Sequence, residues 1–353
     1  MIRWGIIGCG DVTERKSGPG FQNVEGSRLV AVMRRNAERA EDYAKRHGVP
    51  RWYSNANLLI HDAEVDAVYI ATPPGSHLDY AKQVVAAGKP CYIEKPMARS
   101  YRECVEITET FAKANLPLFV AYYRRGLDRF LKARELVQTG KIGTVSGVLY
   151  RFSSSAHNAR QRDAETLFPY SPTTEMKTEL PWRLDATEAG GGLFLDLGCH
   201  TLDIIDFIVG ELQDVSGEAG NVASAHAVED CVTLSFRTET GAVGSALWNF
   251  ASAFSEDMIQ ITGTEGRITL STFGNEPVLL ETGEETVTFD LPNPDTIQQP
   301  LIQTIVDALH GKGECPSTGI TATRTSRVMD IALSGYYRGR EDAFWTRPET
   351  WRG

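Results

Sequence analysis

Lys95, Asp196 and His200 stand in stretches of this 353-residue chain that are otherwise apolar, and each needs a chemical reason to be there. Lys95 ends the run CYIEKPMA between Glu94 and Pro96. It is either an ordinary strand-end residue or a charge aimed into a site, where an ammonium polarises a carbonyl oxygen and favours a developing alkoxide. Asp196 and His200 are four apart in GGGLFLDLGCHTLDIIDFI, so on a helix they lie on one face and can reach one ligand. Burying a charge without partners is costly, so the pair is either a hydrogen-bonded couple within an apolar helix or a proton-handling one. An imidazole with an unperturbed pKa of about 6.5 exchanges protons near neutrality, which makes His200 a candidate general acid/base. Gly190, Gly191 and Gly192 let the start of this helix approach a neighbour closely.

A second set of residues has the types that hold phosphate. GIIGCGDV places Gly8 and Gly10 directly after an apolar run, with Asp11 and Val12 opening the next element. Such a turn lets backbone N–H groups approach a pyrophosphate at a helix N-terminus. Thr13 stands where the third glycine of G-x-G-x-x-G would be, so a plain strand-to-helix turn is the alternative. After the second run, VAVMRRNAERA has Arg34 and Arg35 where an NAD-binding chain usually carries an acid for the adenosine 2′-hydroxyl. Two guanidiniums there suit a 2′-phosphate, hence NADP(H) as preferred cofactor, with NAD(H) if they only point to solvent. In ATPPGSH, Thr72, Pro73 and Pro74 form a rigid extended turn and His77 begins a helix, on the same sheet rim as Lys95.

The elements that must position these groups are legible as patterns. RWGIIG, SRLVAVM, VDAVYIAT, KPCYIEK and LPLFVAYY read as strands buried on both faces, alternating with helical stretches, so residues 1–123 are expected to form a doubly wound parallel sheet. Ser100 with Glu103 forms a capping box, and Gly88 closes a helix. From residue 124 to 353 the grammar changes to an α+β domain with an open, largely antiparallel sheet. Alternation marks CVTLSFRT, AVGSALWNF, MIQITG and RITLSTF as half-buried strands, while TIQQPLIQTIVDALHG and TATRTSRVMDIALSGYY carry helical patterns.

The net charge of −10 supplies no basic footprint, which argues against nucleic acid and anionic membrane surfaces as partners. Six cysteines without metal or disulfide spacing read as reduced thiols, and no metal site is expected. MIRWGIIGCG enters a strand at once and no run approaches transmembrane length, so a cytoplasmic location is expected.

Taken together, GIIGCG, ATPPGSH, EKP and EAGGGLFLDLGCH, in this order over essentially the whole chain, resemble the Gfo/Idh/MocA family of sugar and polyol oxidoreductases. The resemblance implies a Rossmann domain, a second domain whose open sheet mediates homodimer or homotetramer formation, and NAD(P)-dependent chemistry on a carbohydrate-like or polyol hydroxyl or ketone. It implies that Asp196 and His200 face the substrate, that Lys95–Pro96 is cis, and that Glu94 lies on the cofactor side with Thr72, Pro73, Pro74 and His77. PWRLDATEAGGG resembles the anhydrofructose reductase branch, where the positions matching Trp182 and Arg183 lie towards nicotinamide and substrate. A Trp packed under a loop beside an exposed Arg is the alternative. Tyr123 replaces the Asn of many members, and the polar loop near 153–181 is longer than usual; both departures fall where substrate choice is set.

The chemistry implied is a hydride moved between a carbinol carbon and a nicotinamide. His200 exchanges the proton, Lys95 polarises the oxygen, and Asp196 orients the hydroxyls; which of Lys95 and His200 formally transfers the proton stays open, because their titrations couple. An NAD-dependent glycosidase of the same fold and a non-catalytic dinucleotide-binding sensor are the rival readings.

Overall fold

A computed structural model describes residues 1–154, 181–224 and 226–352. Most of the long polar loop expected near 153–181 lies outside the described residues. The chain forms two compact units, Met1–Gly126 with Pro294–Thr323, and Leu127–Asn293 with Arg324–Gly353.

The first unit is built on six parallel strands, β1 (Ile2–Ile7), β2 (Ser27–Met33), β3 (Arg51–Tyr53), β4 (Ala67–Ile70), β5 (Cys91–Ile93) and β6 (Leu118–Val120), in the order β3-β2-β1-β4-β5-β6. This is the doubly wound order, with the reversal between β1 and β4. Five of the six strands are predominantly apolar, with Arg3 in β1 and Arg28 in β2 as the charged exceptions, as a sheet covered on both faces requires. β3 has three residues, too few for any pattern to show, and it is the strand the periodicity misses. The helices carry their own stops: Asn36 caps Ala37–Arg46 by accepting from the Arg39 amide at 2.9 Å. Ser100 caps Tyr101–Lys113, but the Glu103 carboxylate turns to the Arg99 amide at 3.1 Å instead of closing the box.

A single boundary at residue 123 does not describe this unit, because Pro294–Thr323 returns to it. The reason is burial. Leu301, Ile302, Ile305 and Val306 of the helix Gln299–Leu309 are all fully covered, each contributing about 1.5–3 kcal/mol. Ile302 sits where a side chain on Gly20 would be, so the glycine makes room for the returning helix.

The second unit holds an eight-stranded sheet: β7 (Val145–Ser153), β8 (Leu212–Gly220), β9 (Cys231–Thr238), β10 (Val243–Asn249), β11 (Glu256–Gly263), β12 (Gly266–Leu270), β13 (Val278–Thr282) and β14 (Thr286–Phe289). Their order is β14-β13-β12-β11-β7-β10-β9-β8, antiparallel throughout except for the parallel β7–β10 pair. Alternation assigns the faces. Val148, Tyr150, Ala246, Trp248, Ile259 and Ile261 point into the core, while Leu149, Val243 and Leu247 point outward with Met258. The helix Cys199–Val209 is buried on every side. Among the described residues no helix is long and apolar enough to cross a membrane.

Candidate active site

β1 ends at Ile7 and the chain turns at Gly8 with φ +92°. A Cβ there would lie 2.7 Å from Thr72 Cγ2, so only glycine fits against the end of β4. The Gly8 and Cys9 amides donate to the Met33 carbonyl at 2.9 and 3.1 Å, anchoring the turn at the end of β2. Gly10 is different: a Cβ on it would meet nothing closer than 3.8 Å. Its missing side chain relieves no clash and instead leaves room beside the turn, as backbone approach by a pyrophosphate requires. Thr13, in the third-glycine position, is buried and donates its hydroxyl to the Gly10 carbonyl at 2.8 Å. The close packing that glycine would allow has moved to Gly18, where a Cβ would overlap the Thr13 carbonyl oxygen and the Tyr43 hydroxyl. Asp11 is exposed and Val12 half-buried at the start of the short helix that follows.

Arg34 is half-buried with Nη1 3.3 Å from the Cys9 carbonyl, so it stands at the glycine turn, and Arg35 beside it is exposed. Burial pushes the Cys9 thiol up to about 12, which makes it a packing group and not a nucleophile.

The ends of β4 and β5 carry the next group. Thr72 accepts from Ser76 Oγ at 2.7 Å, bracing the turn through Pro73 and Pro74. His77 is fully buried, its ring nitrogens 2.7 Å from the Thr72 carbonyl and 3.1 Å from that of Met97. It ties the ATPPGSH turn to the EKPMA loop. Glu94, 5% exposed, receives Tyr69 Oη at 2.6 Å and Gln298 Nε2 at 2.7 Å on Oε1, and the Lys95 amide at 3.0 Å on Oε2. His77 and Glu94, expected beside a cofactor, bond the chain itself through their polar atoms and so brace the rim. Lys95 is half-buried and its bond to Pro96 is cis. Tyr123 is buried just past β6 with the Arg124 guanidinium 4.9 Å over its ring.

In the second unit the glycine turn before Asp196 approaches a carboxylate. The Gly192 amide donates to both oxygens of Glu229, at 2.9 and 3.0 Å, and Tyr337 donates its hydroxyl to the same group. Burial raises the pKa of Glu229. Arg340 donates to the Gly190 carbonyl at 2.8 Å, so both ends of the turn are held. Phe194–Gly198 then winds as a π-turn and the α-helix begins only at Cys199. Asp196 and His200 are therefore not on one regular α-helix, though they share one short segment; π-turns recur at functional sites. Gly198 packs flat on the Phe194 ring, which leaves no space for a Cβ.

Asp196, 8% exposed, accepts from Arg183 Nε at 3.0 Å, and the Arg183 guanidinium lies 4.4 Å over the Trp182 ring. Trp182 is thus a platform for the arginine that aligns the acid. His200, 4% exposed, meets the Phe273 ring edge-on at 6.0 Å. Phe273 is fixed by Asp257, whose carboxylate receives the Thr272 and Phe273 amides at 3.1 and 2.6 Å. The supports Glu229, Asp257, Phe273 and Gln298 were not found from sequence. Glu229 precedes β9 and Asp257 stands near the start of β11, but the backbone each one holds lies 37 residues away for Glu229 and 15 to 16 for Asp257, beyond the reach of a local pattern.

Residues 2–122 match the family model described as the oxidoreductase family with an NAD-binding Rossmann fold, and residues 130–269 match the GFO/IDH/MocA C-terminal domain. Oxidoreductase P35 of Formosa agariphila is 34% identical over 94% of this chain and 98% of its own. The 1,5-anhydro-D-fructose reductase of Ensifer adhaerens is 27% identical, over 90% and 91%. The crystal structure of an oxidoreductase from Agrobacterium radiobacter in complex with NAD+, L-tartaric acid and magnesium superposes with a TM-score of 0.79, at 23% identity, over 96% of this chain and 97% of that one, and supports the fold. With the doubly wound order, the glycine turn and both domain matches in place, the chain belongs to the Gfo/Idh/MocA family of NAD-binding oxidoreductases.

Proposed function

We propose that this oxidoreductase moves a hydride between NADP(H), in preference to NAD(H), and a hydroxyl or ketone carbon of a sugar, sugar derivative or polyol. The observation that carries the reading is Asp196, buried and aligned by Arg183 on the Trp182 ring, in the same short segment as buried His200. Such an acid accepts hydrogen bonds from ligand hydroxyls without moving. The names of the relatives support a carbohydrate.

The residues of the first unit fit a dinucleotide, since Gly10 keeps space beside the turn and Arg34 stands next to it. Bound there, the dinucleotide supplies the hydride acceptor or donor. Arg34, with Arg35 adding charge, holds a 2′-phosphate. Lys95 polarises the reacting oxygen, His200 takes or returns the proton, and Asp196 orients the neighbouring hydroxyls. Tyr123 and Arg183 select the substrate. A homodimer or homotetramer joined through the outward face of the sheet, working in the cytoplasm, completes the proposal.

The test is thermal stabilisation by each dinucleotide, followed by a sugar and polyol panel read by the absorbance of the reduced nicotinamide. NADP(H) is expected to stabilise more; a preference for NAD(H) removes the role of Arg34 and Arg35. Lys95→Ala is expected to lose about 10²-fold or more in kcat while still binding cofactor. Wild-type turnover by that variant overturns the scheme. Glycoside cleavage without net reduction points to a glycosidase, and cofactor binding without any turnover points to a sensor.

A further inference from the structure

The carboxylate beneath Lys95 is held from the far end of the chain. Gln298, fully buried ahead of the helix Gln299–Leu309, accepts from Tyr92 Oη at 2.8 Å and donates from Nε2 to Glu94 Oε1 at 2.7 Å. Tyr69 donates to the same Glu94 oxygen at 2.6 Å, and the Lys95 amide occupies the other at 3.0 Å. Burial pushes both phenols well above the usual range, so Tyr69 and Tyr92 remain neutral hydroxyl donors. The direction of the amide is then determined, because a flipped Gln298 would set its carbonyl against a carboxylate. A carboxamide of this length offers an acceptor to Tyr92 and a donor to Glu94 at once, whatever the pH, which an ionised carboxylate cannot. The Gln298 backbone is tied as well, its N–H donating to the Lys16 carbonyl at 3.1 Å, and the two phenol rings stack at 4.7 Å. The Lys95 amide connects this network to the group proposed to polarise the reacting oxygen.

We propose that Gln298 is a positioning residue for Lys95: it holds the Glu94 carboxylate in the orientation that receives the Lys95 amide, and so sets where the ammonium stands on the sheet rim. This rests on the reading of Lys95 as the group that polarises the reacting oxygen. A misplacement of about 1 Å costs a reaction about 10²-fold, so the effect falls on kcat and not on dinucleotide affinity.

Gln298→Glu tests this with almost no change of shape. It sets carboxylate against carboxylate, and the two share one proton until rising pH removes it. The titratable groups facing the pair are Tyr69, Tyr92, His77 and Lys95, with Cys315 and Tyr123 beside Tyr92. The expected result is turnover near wild type at low pH, then a fall in kcat of about 10²-fold with rising pH that the wild type lacks, at unchanged dinucleotide affinity. Tyr92→Phe, which leaves Glu94 its partners and only frees the amide, is expected to lose a few-fold in kcat. It carries the test if Gln298→Glu does not fold. A second readout needs no turnover: the ¹³C resonance of reductively methylated Lys95, assigned by its loss in Lys95→Arg, is expected to move in Gln298→Glu over the same pH range. If the wild type turns over a substrate and Gln298→Glu matches it in kcat and in the Lys95 resonance at every pH, the proposal is overturned. If the wild type turns over nothing, the function reading fails, and an unmoved Lys95 resonance overturns the positioning role by itself.

Discussion

On the His77 ring two effects oppose each other. Burial disfavours the imidazolium, the carbonyls of Thr72 and Met97 favour it, and burial wins, so the pKa lies below the ordinary value. The unfolded chain takes up a proton near pH 6.5 and the folded chain only at lower pH, so below about pH 6.5 the unfolded state holds more protons. The stability His77 contributes is complete above that pH and is lost as pH falls. Wild-type urea midpoints should therefore drop between about pH 7 and 5 by more than those of His77→Gln; parallel slopes would remove the argument. Glu229, raised by burial, works in the opposite sense, its contribution lost as pH rises from about 4.3, so the variant must be compared with wild type at each pH. The place of His77 on the rim was legible in ATPPGSH. Its second partner was not, because Met97 lies twenty residues on, beyond another strand.

Among the elements, the glycine turn and the helix after it divide between two glycines what the usual fingerprint assigns to its own positions. Gly18→Ala would drive a methyl group into the Thr13 carbonyl and the Tyr43 hydroxyl. It should cost about 1–3 kcal/mol in chemical denaturation and weaken dinucleotide binding by moving the turn. Gly10→Ala meets open space, so it should leave stability within about 1 kcal/mol while weakening the dinucleotide, read by fluorescence titration. Equal stability losses in the two variants would contradict the division. Thr13 marked the departure in the sequence, but its compensation could not be seen there, because Gly18 meets Tyr43 across 25 residues. The π-turn at Phe194–Gly198 was hidden in the same way, since spacing alone cannot distinguish it from a regular helix.

For the molecule as a whole, the outward face of the eight-stranded sheet is the test of assembly. Leu149 is 36% exposed and Val243 55%, with Leu247 and Met258 on the same face. The double variant Leu149→Arg/Val243→Arg should run as a smaller species than wild type in light scattering, with unchanged circular dichroism. An unchanged mass would remove the sheet as the joining surface. Alternation in CVTLSFRT and AVGSALWNF marked the face that turns to the core, because the side-chain period of a strand is two, whereas assembly through the other face was expected from the family resemblance alone.

The sequence by itself determined the parallel sheet, the glycine turn and the order of the motifs, because apolar periodicity and glycine conformation are local properties of the backbone. It also placed Lys95, Asp196, His200 and Arg34 as groups needing a reason. The tertiary structure decided what holds them: Arg183 on Asp196, Glu229 under Gly192, Asp257 behind Phe273, and Gln298 on Glu94 beneath Lys95. Those partners are joined by the requirement that buried polar groups be satisfied. That requirement acts on atoms close in space, and residues 94 and 298 become close only when the chain returns to its first unit.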